Sequence, residues 1–583
     1  MENSQIADIF DRIADLIELQ GGNQFRIRSY RNAARTVRDM TDRLADLDKE
    51  DKDLSTLPNI GDKTADKIHE ILEKGTCKRL EDLKDEVPEG LPELMKVPNL
   101  GPKKAMKLHE ELGVSSLEEL RKACEEGKVR HVPNMGEKTE EKILQGLKTL
   151  GAGLGRFLLK DARDYVDSLK KHLDGCEALE RYEIAGSYRR RKETVGDLDV
   201  LIEATDRSTA ADEILEYENI DSVDSKGKEK LTVRLSGNMQ VDFRFFESHS
   251  FGAAMMYFTG SKAHNIALRR RAIDRDWKLN EYGLFKGDVG GRKQQKQKTD
   301  ARLAGSDEES LYHRLNLKWV PPELREDRGE IDAAAEDRLP KLITLDDIRG
   351  DLQSHSTESD GNESVSDMAA AARDRGLQYL AVTDHSKRVT MAKGLDNDRC
   401  RKHAEHIRHV NAGMKDFWLL AGIEVDILKS GKLDLDEDVL ADLDWVIASI
   451  HYDRNLSEKD MTERYLSAIK SGVVHALAHP LGRIIGRRDP ISFDVDKVFQ
   501  ACKDHDVIVE INAAPDRLDL PDTYVKRAKE IGLTISIGTD AHKFSDLDFM
   551  PFGIDVARRG WLEKGDVVNT LTAKQLKKRL KRD

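Results

Sequence analysis

Residues 185–204 read AGSYRRRKETVGDLDVLIEA, and this stretch decides how the rest of the chain is read. Gly186 and Ser187 make a small turn that permits close approach and carries a hydroxyl, and Arg189 and Arg190 follow. Asp197 and Asp199 then sit two apart on an apolar strand, so both project from one face. Carboxylates so placed repel unless they share cations. Mg²⁺ prefers oxygen ligands and commonly combines carboxylates with substrate phosphates. Downstream, QVDFRFF adds a third acid, Asp242, with Val241 and Phe243 on the opposite face. Three such acids can hold two ions for in-line phosphoryl transfer. An Asp-x-Asp pair alone says little: LDLDEDVLADLDW offers Asp434, Asp436, Asp442 and Asp444, read here as solvated surface. The Gly-Ser turn, followed by Gly-Asp-x-Asp and a further strand acid, is the specific combination. The competing reading is a set of strand-end surface acids.

Working outward, YEIAGS, DLDVLIEA, KLTVRLS and MQVDFRFF alternate with period two and predict strands from about Arg181. AHNIALRRRAIDRD predicts a helix, and WKLNEYGLF follows it. GGRKQQKQKTDAR, from Gly290, reads as an exposed basic loop, and residues 321–340, charged and bounded by Pro, as a linker with one helix. Upstream, to about residue 175, the pattern is helical with almost no strand signal. There the string Pro-Asn-apolar-Gly-x-Lys occurs three times: PNIGDK from Pro58, PNLGPK from Pro98 and PNMGEK from Pro133. Each has another Lys four positions on, at Lys67, Lys107 and Lys142. Gly61, Gly101 and Gly136 allow a tight turn between two helices. The second helix then offers free N–H groups and its positive dipole end to an anion. Lys63, Lys103 and Lys138 add phosphate contacts that read no bases. This is a helix-hairpin-helix, a clamp on a nucleic-acid backbone. One copy would be an ordinary turn; three with one spacing are a pattern.

The chain has 583 residues, room for about four domains. Charged residues are 35% and hydrophobic ones 38%, spread along the whole length, so several modest cores are expected rather than disorder. The net charge of -13 argues against a simple basic coat, but not against local basic surfaces. These are expected at the three repeats, at residues 189–192 and in AKQLKKRLKRD at the C-terminus. Five widely separated Cys with no CxxC pair exclude a disulfide framework and suit a reducing compartment. No apolar run approaches the roughly 20 residues of a membrane span. The N-terminus is acidic and amphipathic, unlike a secretory signal, so a cytoplasmic chain with no membrane contact is expected.

After Ile343 short apolar strands alternate with helical segments, which predicts a layer or barrel of βα units. A series of His and acids falls at or just past the strand ends: His355 and Asp360, His385, Glu424, His451, His479, and Asp540 with His542. That is where βα barrels gather their sites. Mixed His and carboxylate ligands suit Zn²⁺ or Mn²⁺, and eight exceed one site, so two or three ions are expected. His403, His406, His409 and His505 read as structural or surface residues.

GSYRRRKETVGDLDV, VDFRFF and YFTGS together resemble the family X DNA polymerases of the nucleotidyltransferase superfamily. FRIRSYRNAARTV with LPNIGDKTADKI looks like that family's gap-binding small domain. The resemblance makes Asp197, Asp199 and Asp242 ligands of two Mg²⁺ or Mn²⁺ ions. It gives Gly186, Ser187 and Arg190 to the triphosphate, and Tyr257, Phe258 and Gly260 to the sugar and base of the nucleotide. Asn265 would reach the base's minor-groove edge, and Arg269 the template side. Arg191 departs from the family, where many members carry Gly. Lys67 matches the nucleophile of a 5′-deoxyribose-phosphate lyase, although Lys107 and Lys142 fill the same slot and phosphate contact explains all three.

The C-terminal series is similar to the PHP (polymerase and histidinol phosphatase) domain. That domain is a distorted (βα)7 barrel with up to three Mn²⁺ or Zn²⁺ ions that hydrolyses phosphoesters. Its first motif is usually His-x-His; here it is Gln353-Ser354-His355, and an amide oxygen is a weaker ligand than imidazole. By the resemblance Glu424 bridges two ions, and Asp360, His385 and His542 hold a third.

The implied architecture is multidomain α+β, with a palm of mixed or antiparallel sheet. It runs as a small helical domain (1–88), a fingers-like helical domain (89–155), the palm (156–247), a thumb-like nucleotide-selection subdomain (248–320), the linker (321–340) and the PHP barrel (341–583). The implied function is gap-filling DNA synthesis in base excision repair by a monomer. Gapped or primed DNA and dNTPs are the partners, with a metal-dependent 3′→5′ exonuclease and a further abasic-site endonuclease in the barrel. Three rivals stay open: a barrel that is only a structural metal module, a DNA-end scaffold without chemistry, and template-independent nucleotide addition.

Overall fold

The structure is a computed structural model. It describes residues 3–580 except 41–43, 50–51, 58, 89, 96, 98–99, 134, 138, 142, 145–146, 148–155 and 288–299. The chain forms two compact units, residues 1–155 and 156–583. Of the basic loop read at residues 290–302, positions 290–299 lie outside the described residues, as do Lys138 and Lys142, and Arg302 instead begins a short strand.

The first unit is helical. Ile6, Phe10, Ile13 and Ile17, spaced four, three and four apart along the helix Asn3–Leu19, are all buried, as a core-facing stripe requires. The next helix, Gln24–Asp39, is capped by Asn23, whose side chain accepts from the Phe25 N–H at 2.7 Å. Gly61 and Gly101 stand just before the helices Asp62–Lys74 and Pro102–Leu112. Their φ values of -97° and -78° are open to any residue, so the turn does not need glycine for its backbone angle. In the first repeat Asn59 takes the left-handed position, at φ 61°. Nor is glycine needed for room within the chain: a Cβ at Gly61, Gly101 or Gly136 would meet nothing within 4 Å, so the space before each helix is open. The N–H groups that open each helix are therefore approachable from solvent.

The second unit holds all the strands of the described residues. In chain order they begin β1 (Phe157–Leu158), β2 (Leu179–Ile184), β3 (Thr194–Val195), β4 (Asp197–Ala204), β5 (Ile220–Lys226), β6 (Lys230–Leu235) and β7 (Gln240–Phe245). A small three-stranded sheet follows, made of β8 (Trp277–Asn280), β9 (Gly283–Lys286) and β10 (Arg302–Ala304). The palm sheet runs β2-β4-β7-β6-β5; β4 and β7 are parallel and the other neighbours antiparallel. β5, IDSVDSK, is a polar edge strand that the alternation reading passed over. β11 (Gly350–Asp351), β12 (Tyr379–Val382), β13 (Trp418–Asp426), β14 (Trp445–Ser449), β15 (Ala476–Leu477), β16 (Ile508–Asn512) and β17 (Ile535–Gly538) form one parallel sheet in sequence order. A bridge between Ser354 and Ala541 joins the ends of the first and last strands and nearly closes a seven-stranded βα barrel. The strands Trp418–Asp426, Trp445–Ser449 and Ile508–Asn512 are buried at every residue because both faces are covered.

Residues 321–340 do not behave as a linker. They carry the helix Glu330–Ala335 and a 3₁₀ turn, Pro322–Leu324, packed into the second unit. Arg325 and Glu330 are fully buried, paired with Glu308 at 2.6 Å and His264 at 2.7 Å. Asp434 is likewise no surface acid: it is buried and accepts the Arg388 N–H at 2.8 Å. One connected set of buried apolar side chains runs from the palm sheet into the barrel.

Two candidate active sites

The parallel register of β4 and β7 pairs Asp199 with Asp242 and Asp197 with Gln240, so the three acids converge at one end of the palm sheet. Gly186 opens the short helix Gly186–Arg189 at φ 66°, and a Cβ there would lie 3.1 Å from Asp199 Oδ2. Here glycine is required twice, for its angle and for its size. Burial, then the charge of Asp197, pushes the Asp199 carboxyl up to about 6, against Arg244. Burial and the charge of Asp242 raise Asp197, against Arg156. Three mutually repelling acids call for cations. Two side chains that sequence reasoning missed supply them: Arg244 lies 3.3 Å from Asp199 and 2.8 Å from Asp242, and Lys230 lies 2.6 Å from Asp242. Arg244 was within reach of period-two logic, two residues beyond Asp242 on the same strand face. The oxygen-only donor set fits hard divalent ions in the same place.

Tyr257 and Phe258 end the helix Ser248–Thr259, their rings 5.1 Å apart. The Arg244 guanidinium lies 4.4 Å over Phe258, and Arg269 lies 5.9 Å over Tyr257. Asn265 is buried; its amide donates to the Tyr257 carbonyl at 2.7 Å, while its Oδ1 has no hydrogen-bond partner. A cavity of about 610 Å³ opens between Lys230, Arg244, Tyr257, Phe258 and Tyr282. Arg190 lies against Gly260, where a Cβ would come within 3.3 Å of Nη1. It donates to the Thr259 carbonyl and pairs with Glu326 at 3.1 Å. Arg191 stands at φ 56°, a conformation that suits glycine, and faces Asp555 at 3.7 Å.

The second cluster sits at the C-terminal ends of the barrel strands. Glu424 is fully buried at its centre, with His479 at 2.9 Å, His451 at 3.3 Å, His385 at 3.4 Å and His355 at 3.5 Å. Asp540 is 3.0 Å from His355, and Asp360 is 3.4 Å from His542 and 3.5 Å from His385. Three overlapping groups could each seat an ion: His355, Asp360, His385 and His542; His385, Glu424 and His451; and His355, Glu424 and Asp540. Both ring nitrogens of His355, and Nδ1 of His385 and of His479, are buried with no hydrogen-bond partner. Orphaned imidazole nitrogens around a central carboxylate are the donor set that Zn²⁺ or Mn²⁺ satisfies. His479 and Asp540 hold left-handed backbone angles, φ 29° and 55°, a strain typical of functional positions. Burial works against the charged form of His385 and His542, yet Glu424 with Asp360, and Asp360 with Asp540, hold them up to about 9 and about 10.

Gln353 is buried beside Glu510. Its amide nitrogen donates to Glu424 Oε2 at 3.3 Å; the opposite amide sense would have the nitrogen donate to Glu510 at 2.9 Å and turn the carbonyl oxygen toward Glu424. Burial raises Glu510 well above the carboxylate range. Glu510 was missed by sequence reasoning because its role depends on a residue 157 positions away. A second missed support is Asp384, which accepts from the Ser356 N–H at 2.8 Å and pairs with the buried His403 at 2.8 Å. It thereby braces the residues beside His355 and His385.

Comparison with known families agrees with this layout. Models described as DNA polymerase beta palm and DNA polymerase beta thumb match residues 160–261 and 254–326, and the PHP domain model matches 351–514. A helix-hairpin-helix domain model matches residues 1–77, and a SAM-like helix-hairpin-helix tandem model 91–149. Over its full length, and that of its relative, the chain is 38% identical to the DNA polymerase/3′-5′ exonuclease PolX of Bacillus subtilis. The chain belongs to family X of DNA polymerases, in the form that carries a PHP domain. This family X chain is also similar, through its C-terminal part alone, to smaller proteins. A probable phosphatase of Photobacterium profundum is 32% identical over 34% of the chain and 79% of its own length. One of Thermoanaerobacter is 30% identical over 38% of the chain and 90% of its own length. Among the described residues no helix is long and apolar enough to cross a membrane.

Proposed function

We propose that the chain is a DNA polymerase that fills short gaps during base excision repair and trims 3′ ends with its barrel. The observation that carries this reading is the pairing of Asp199 with Asp242 across β4 and β7, under a Gly186 turn with no room for a side chain. Asp197, Asp199 and Asp242 would hold Mg²⁺ or Mn²⁺. His355, Asp360, His385, Glu424, His451, His479, Asp540 and His542, with Gln353 as a weaker donor, would hold Mn²⁺ or Zn²⁺. Bound ions supply charge neutralisation and Lewis acidity at both sites.

The rest belongs to the chain. Arg244 and Lys230 offset the repulsion among the acids when no divalent cation does so. Ser187 and Arg190 receive the triphosphate. Tyr257, Phe258 and Gly260 bound the sugar and base, with Asn265 and Arg269 behind them. The open helix ends at Gly61 and Gly101, with Lys63 and Lys103, grip backbone phosphates; by its repeat position Gly136 with Lys138 joins them. Lys67 fits phosphate contact better than lyase chemistry, because its nitrogen already donates to the Lys63 carbonyl at 2.7 Å and lies 6.0 Å over Tyr30. The domain divisions 1–88, 89–155, 156–247 and 248–340, then the barrel, follow from these roles, with the former linker given to the thumb.

The test is a 5′-labelled primer on one-nucleotide gapped DNA with Mn²⁺, with and without dNTPs. Extension with dNTPs and shortening without them are expected. Asp199→Ala should abolish the first and spare the second, and His355→Ala the reverse. No extension by the parent chain would sink the reading. Extension without shortening would leave the barrel a structural or differently directed module, and would point to Gln353.

A further inference from the structure

The palm turn that carries Arg190 is held from beneath by the barrel. Arg559 ends the barrel helix Met550–Arg559 and its side chain is only 3% exposed. One nitrogen, Nη1, donates to the Arg190 carbonyl at 2.6 Å and pairs with Glu326 at 3.1 Å, while Nη2 pairs with Asp522. Glu326 is also the carboxylate that holds Arg190 itself, at 3.1 Å from Nε. Arg328 completes the cluster, 3.1 Å from Asp522. Burial opposes ionisation of Glu326 and Asp522, but Lys192, Arg559 and Arg328 act on both, and Arg190 on Glu326, holding each well below the usual carboxylate range. Among the described residues, then, Arg190, Lys192, Arg328 and Arg559 between them act on two partly buried carboxylates at the foot of the phosphate turn.

We propose that Arg559 is a positioning residue for nucleotidyl transfer: it keeps Glu326 paired when Arg190 turns to the triphosphate of an incoming dNTP. Without Arg559, Glu326 would have a stronger claim on Arg190, and the turn would lose the donor to its Arg190 carbonyl. The barrel then serves the nucleotide site as well as carrying its own. This rests on the polymerase reading above.

The two partners should act in opposite directions, which a scaffold contact would not do. In the full chain on gapped DNA, Arg559→Ala should raise the dNTP KM about tenfold with kcat within about twofold, and Arg559→Lys should recover part of the loss. Glu326→Gln, which frees Arg190, should lower the KM or leave it unchanged. The double variant should fall between the two. Mn²⁺-dependent hydrolysis of bis-p-nitrophenyl phosphate reports whether the barrel remains folded. If Arg559→Ala leaves KM unaltered, the proposal fails. It also fails if both single variants raise KM and lower kcat together, since that marks a scaffold contact. Should Arg559→Ala not fold, Glu326→Gln decides alone: a raised KM overturns the proposal. A parent chain with no extension would overturn the polymerase reading instead.

Discussion

Gly186 shows how little freedom the palm site leaves its residues. Its φ of 66° is strained for any residue with a side chain, and a Cβ 3.1 Å from Asp199 Oδ2 would force that carboxylate to give way. Gly186→Ala must either unwind the turn or push Asp199 out of line with Asp242. Displacing a positioned catalytic group by about 1 Å costs on the order of 100-fold in rate. Extension by Gly186→Ala should fall by about that factor, with dNTP-free shortening retained; single-turnover kinetics on gapped DNA would check it. This requirement was legible in the sequence, because Gly-Ser before Gly-Asp-x-Asp has few structural uses. Arg244 was legible too and was passed over, since a cation on a strand of acids reads as surface. Gln353 could be seen to differ, but its burial against Glu510 could not.

Among elements, the helix Glu308–Arg314 depends most on charges brought from elsewhere. Glu308 is held by Arg189 at 2.7 Å and by the buried Arg325 at 2.6 Å, with Trp319 donating at 3.2 Å. Burial opposes ionisation, yet Arg325 and Arg189 take the carboxyl down to about 2 from 4.5. A depressed folded value means that the stabilisation is complete above about 4.5 and is lost as pH falls toward 2. Its size is on the order of 3 kcal/mol. Amide exchange in this helix should therefore speed up across that window. Glu308→Gln should remove the acid dependence and expose the helix already at neutral pH, because it leaves two guanidinium groups without their carboxylate. Many strands were legible, β4, β6 and β7 by their alternation and β12 to β17 as short apolar runs. The exceptions have a common cause. β5 and residues 321–340 are rich in charge, and whether a charge is buried depends on partners such as His264 and Glu308 that no local pattern contains.

For the whole molecule, a net charge of -13 is compatible with a nucleic-acid partner because binding follows the local field and not the total. Lys63 and Lys103 stand exposed in the first turns of helices that follow Gly61 and Gly101, with open space at both glycines among the described residues. Lys63→Ala and Lys103→Ala should each weaken gapped-DNA binding to a similar extent for every sequence and reduce the slope of log K against log salt by about 1. Fluorescence anisotropy over a salt series would measure it, and a sequence-dependent loss would contradict the backbone-clamp role. The three repeats made this function readable from the chain alone. The link between barrel and palm was not, because Arg559 and Arg190 are 369 residues apart.

The bridge from Ser354 to Ala541 has a consequence for how the protein is made. A ribosome adding roughly 5–20 residues per second needs ~10–40 s to travel from one to the other. Throughout that interval β11 has emerged without the strand-end contact that closes the barrel, and His355 waits for Asp540. A half-synthesised chain therefore carries an unpaired strand edge beside a cluster of unsatisfied polar groups, the condition that invites wrong pairing. Translation speed across residues 354–541, and not only the finished fold, bears on how many chains ever acquire a hydrolytic centre.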